Sequence, residues 1–94
     1  MDAKKIEGIV QMYKDKLVHN KIPSRRMNTS KAFQDTDRDE RLMHAHYLCE
    51  NIHTFLHDEE KWGKVNRHFT AIQMCLSYAG WYTLDELMGH NKPL

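Results

Sequence analysis

Two cysteines, two prolines and four glycines in 94 residues leave little room for several kinds of protein. A pair of thiols cannot build a disulfide framework, and Cys49 falls within a helical apolar pattern, so both cysteines are expected to be reduced, small core residues of a cytosolic protein. No apolar run approaches the roughly 20 residues a membrane helix needs, and no basic start leads into an apolar stretch. The chain is therefore expected to act away from membranes, in the compartment where it is made. Catalytic signatures are also missing: no serine sits in a Gly-x-Ser-x-Gly elbow, and the acidic pairs fall on exposed helix starts. The expectation is a binding protein, not an enzyme, with no cofactor. The glycines of a phosphate-cradling loop are absent too.

Helical periodicity is what the sequence has in quantity. Leu42, Ala45, Cys49, Ile52 and Leu56 recur at steps of three and four, and Trp62, Val65, Phe69, Ile72, Leu76 and Ala79 keep the same rhythm. Two such seams, separated by the polar corner Asp58-Glu59-Glu60, predict an antiparallel hairpin over residues 36–80, with helices over about 37–57 and from Trp62 to Gly80. Asp35 and Thr36 are expected to cap the first of these helices, and Gly80 suits the left-handed residue that closes the second. A shorter N-terminal helix is predicted over residues 1–20, from the stripe Ile6, Ile9, Val10, Tyr13 and Leu17 behind Asp2. A short C-terminal helix is predicted over residues 83–89, where Thr83 and Glu86 form a capping box. The fold class is all-α, a single helical domain with no strand signal, small enough that a second copy is expected to complete its core.

Charge is split along the chain. Residues 1–34 carry eight lysines and arginines against three acids, while the rest carries six against ten. The basic excess collects in a loop over residues 21–34, expected to contain one helical turn and to be pinned by Ile22, Met27 or Phe33. Within it Lys21, Arg25, Arg26 and Lys31 are interleaved with short hydroxyls and amides. Arginine forks and hydroxyls suit phosphate, so these four are candidate ligands for a nucleotide, a cyclic nucleotide or another phosphorylated small molecule. The loop lacks the aromatics of a single-strand binder, and the near-neutral total charge makes nucleic acid the weakest of the partners considered.

Two further groups stand out. His46, His53 and His57 fall close to one line on the predicted 37–57 helix, and His53 and His57 at i and i+4 have the spacing of a shared metal ion. His46 lies two turns from His53, so the stripe reads first as a polar flank. Asn66 and Arg67, together with Tyr82 beyond the hairpin, combine polar and aromatic groups of the types enriched where proteins grip partners.

The run Val65-Asn66-Arg67-His68-Phe69-Thr70-Ala71-Ile72-Gln73, then Leu76, Gly80, Tyr82-Thr83-Leu84-Asp85-Glu86-Leu87 and Asn91-Lys92-Pro93, resembles the C-terminal half of small helical accessory proteins encoded by tailed bacteriophages. The resemblance covers about residues 42–93 and does not extend to the basic loop. It implies a viral protein working in the bacterial cytoplasm during host takeover, by binding a host protein or a defence signal. It carries over no catalytic or ligand-binding residues.

Overall fold

In a computed structural model, which describes residues 1–93, the chain forms four α-helices and two short 3-10 turns, with no strand among the described residues. Helix α1 spans Ala3–His19, α2 Arg38–Ile52, α3 Trp62–Tyr78 and α4 Leu84–Asn91. The radius of gyration, 12.8 Å, is close to the roughly 12 Å expected of a globule of this length, so the 21–34 segment cannot stand away from the body.

Three of the four helices start where the sequence supplies a side-chain acceptor for free backbone N–H groups, whereas α3 follows directly on the 3-10 turn Glu59–Lys61 with no side-chain cap. The Asp2 carboxylate accepts from the Lys5 amide at 2.8 Å to open α1. Asp37, and not the expected Asp35 or Thr36, opens α2 by accepting from Glu40, which reaches back to the Asp37 amide. Thr36 is buried instead, with its hydroxyl turned to the Phe33 carbonyl. The Thr83–Glu86 capping box opens α4 as predicted, and its backbone hydrogen bond holds the exposed Glu86 carboxyl below its ordinary range. Gly80, at φ +82°, takes the left-handed turn after α3. At its other end α4 runs to Asn91, two residues beyond the predicted stop at Gly89.

The predicted seams meet. Leu42, Ala45, Cys49, Ile52 and Leu56 are buried with Val65, Phe69, Ile72, Leu76 and Ala79, and α1 adds Ile6, Val10, Tyr13 and Leu17. Trp62 only borders this cluster. Helix α2 ends at Ile52, five residues short of the expected His57, because the chain tightens into turns in which Thr54 and Phe55 bond back to Asn51 and Ile52. That tightening brings two consecutive side chains, Phe55 and Leu56, into the core, which a continuous helix would place 100° apart.

Among the described residues every buried side-chain nitrogen and oxygen has a partner. The densest polar junction fastens α4. The Gln73 amide donates to the Tyr13 hydroxyl at 3.0 Å and pairs with the Asn91 amide in both directions, at 2.8 and 3.1 Å. Tyr13 is left to give its own proton to His90 Nδ1 at 2.7 Å. Burial pushes the Tyr13 phenol up to about 12. Replacing Gln73 with alanine takes both side-chain partners from the Asn91 amide and one of two from the Tyr13 hydroxyl. Urea denaturation of Gln73→Ala is expected to show a loss of about 2 kcal/mol, the cost of an unsatisfied buried group.

Candidate functional site

The seven candidate binding residues separate into two surfaces and two isolated positions. Arg25, Arg26 and Lys31 come together around a pocket of about 280 Å³, completed by Met27, Asn28, Glu40 and Met43. The segment that carries them is held along α2 by its backbone: Arg25 N–H donates to the Met43 carbonyl at 3.1 Å, and Met27 N–H to His44 Nδ1 at 3.2 Å. A turn follows in which Asn28 accepts from Ser30 through its side chain and from Lys31 through its carbonyl. Lys31 is thereby folded back onto α2, where its ammonium meets both Glu40 oxygens at 3.2 and 3.3 Å. Lys21 lies outside this pocket, at the end of α1, with a positive φ of 59°.

Asn66 and Arg67 lie on the outer face of α3, in a groove of about 480 Å³ with Thr70, Ala71, Met74, Tyr78 and Phe33. The α3 members recur at helical spacing on the side away from the core stripe. At its end Phe33, 40% exposed, and Tyr78, 56% exposed, face each other with ring centroids 5.6 Å apart. Two exposed aromatic rings, continued by the half-buried Met74 and Ala71, form an apolar surface suited to a partner.

Tyr82 belongs to neither surface. It is half-buried between α1 and α4, edge-on to His90 at 4.8 Å, with the Lys16 ammonium 4.5 Å above its ring. The same ammonium lies 4.7 Å from the Trp81 ring, so this aromatic pair already holds a cation.

The histidine stripe does not survive folding. His46 is buried and bonded through Nδ1 to the Ile22 carbonyl at 2.7 Å, which pins the start of the basic segment. His53 lies past the end of α2 and is exposed, while His57 pairs with Glu7 at 2.6 Å. No three His, Cys, Asp or Glu groups among the described residues form an arrangement able to hold a metal ion. Burial pushes the Cys49 and Cys75 thiols up to about 12 and about 11, which keeps them from acting as thiolates near neutrality. No described helix is long and apolar enough to cross a membrane.

Arg38 and Arg41 on α2 escaped the sequence reading, although they build much of the ground between the two surfaces. Arg38 Nε donates to the Ala79 carbonyl at 3.1 Å, and Arg41 donates to the carbonyls of Tyr78, Thr36 and Phe33 and to the Thr36 hydroxyl. Cations placed on the last carbonyls of a helix are favoured by its dipole. Tyr78 and Met74 had a detectable signal, since they continue the Asn66, Arg67, Thr70 and Ala71 stripe. Phe33 had none, because long-range contacts with Arg41 and the Tyr78 ring bring it there.

Comparison with protein-family models, curated proteins and solved structures gave no match.

The His44 contact makes the basic pocket sensitive to pH. Nδ1 accepts from Met27 and must be unprotonated, and burial, followed by the Arg26 charge, lowers the His44 pKa. A histidine whose folded value is depressed contributes stability that is complete above its unfolded range and is lost as pH falls through the folded value. Hydrogen exchange at the Met27 amide, corrected for intrinsic rate, is expected to speed up as pH drops below the ordinary histidine range. In His44→Ala it should be fast at every pH.

Proposed function

We propose that the chain is a non-catalytic accessory protein of the phage type, which binds a host protein and blocks or redirects it. The observation that carries this reading is the α3 groove, where Phe33, Met74 and Tyr78 present an apolar strip flanked by Asn66 and Arg67. Tyrosine and arginine are among the types that supply most of the energy where proteins meet, phenylalanine and methionine are enriched there, and a rigid helix face offers its members with little ordering cost. The resemblance of residues 42–93 to tailed-phage accessory proteins supplies the host setting. Both cysteines are buried and neither lines the groove.

The test is affinity capture from phage-infected bacterial lysate, paired with the mass of the protein in solution. The wild-type chain is expected to retain one protein in stoichiometric amount. Met74→Ser/Tyr78→Ser should release it, while Val18→Ser, which removes an exposed apolar side chain from α1, should not. Retention by the double variant overturns the reading. So does a dimer that the same double variant splits, because the strip is then covered by a second copy.

A further inference from the structure

We infer that the pocket between the basic segment and α2 is a binding site for a small phosphate ester with a flat apolar group, of the size of a mononucleotide. This goes beyond the protein-binding face and uses none of its residues.

The lining divides by chemistry. Arg25, Arg26, Lys31 and Asn28 supply donors, whereas Met27 and Met43 supply a polarizable apolar surface. Among the described residues neither the Arg25 nor the Arg26 guanidinium takes part in an ion pair, so two forks that match phosphate geometry remain uncommitted. Glu40 is the one acid in the lining. Its carboxylate is already engaged twice, by the Lys31 ammonium at 3.2 Å and by the Asp37 amide at 3.4 Å in the α2 capping box. The formal charge of the lining is therefore +2, against the nearly two negative charges of a phosphate monoester at neutral pH.

The pocket is also set in advance. The Arg25 and Met27 amides are tied to Met43 and His44, and the Asn28 turn fixes the approach of Lys31, so little backbone must be ordered on binding. At about 280 Å³ the space lies at the small end of ligand sites. A long polyanion fits poorly, because Asp35, Asp37 and Asp39 crowd the start of α2 beside Glu40 and would repel further phosphates.

Isothermal titration calorimetry on the full chain tests this, with inorganic phosphate, adenosine monophosphate, a phosphoserine peptide and a mixed-sequence DNA oligomer as probes. The nucleotide is expected to bind at one site per chain, more tightly than inorganic phosphate. Arg25→Ala/Arg26→Ala should weaken it by at least about tenfold, the loss expected when charged hydrogen bonds are removed. Glu40→Gln gives a reading that damage to the fold cannot imitate: glutamine keeps the capping box and removes the negative charge, so affinity should rise several-fold. Met43→Ala should weaken the nucleotide while leaving inorganic phosphate unchanged. The proposal is overturned if no probe gives saturable heat, if the arginine pair has no effect, or if Glu40→Gln fails to strengthen binding. Preference for the peptide, or for DNA in proportion to its length, overturns it in favour of those partners.

Discussion

Burial of one helix on several sides at once is the constraint on which this small molecule depends. A helix of 15 or 17 residues is marginal in water by itself, so α2 and α3 persist because each covers the apolar seam of the other. Helix α2 then receives α1 on a second side and the basic segment on a third, where His46 and His44 hold Ile22 and Met27. A helix enclosed in this way needs polar residues in buried places. His46 is one such residue, satisfied by a carbonyl from a segment 24 residues away.

What was legible in the sequence is what depends on neighbours within a few residues. The Thr83–Glu86 box, the Asp2 cap, Gly80 and both apolar seams were readable because each is local chemistry at fixed spacing. The end of α2 was not. Periodicity carried the helix on to His57, whereas the backbone turns after Ile52, with Phe55 and Leu56 both still buried. The histidine alignment disappeared with it, since two of its three members were never on the helix. Long-range partners were equally invisible: nothing in the residues around Gln73 announces that its amide will pair with Asn91, or that Arg41 will gather carbonyls from two distant turns. Of the candidate binding residues in the basic loop, Arg25, Arg26 and Lys31 stayed grouped while Lys21 did not, and Tyr82 was drawn off by Lys16 and His90.

The two surfaces differ in what they can hold. The α3 groove is apolar with a polar border and is open along its length, which suits a flat or helical protein face. The pocket over α2 is smaller, positively charged and floored by methionine, which suits an anion with a ring attached. Their chemistries do not overlap, and a single chain offers the charged one on α2 and the apolar one on α3.

Arg41 braces the end of the α3 groove. Its guanidinium holds the carbonyl of Phe33, whose ring lines the groove, and the carbonyl of Tyr78, the aromatic opposite. Only Ala32 separates Phe33 from Lys31, which closes the charged pocket. Three consecutive residues therefore run from the rim of one space to the rim of the other, with Lys31 lining the charged pocket and Phe33 the groove.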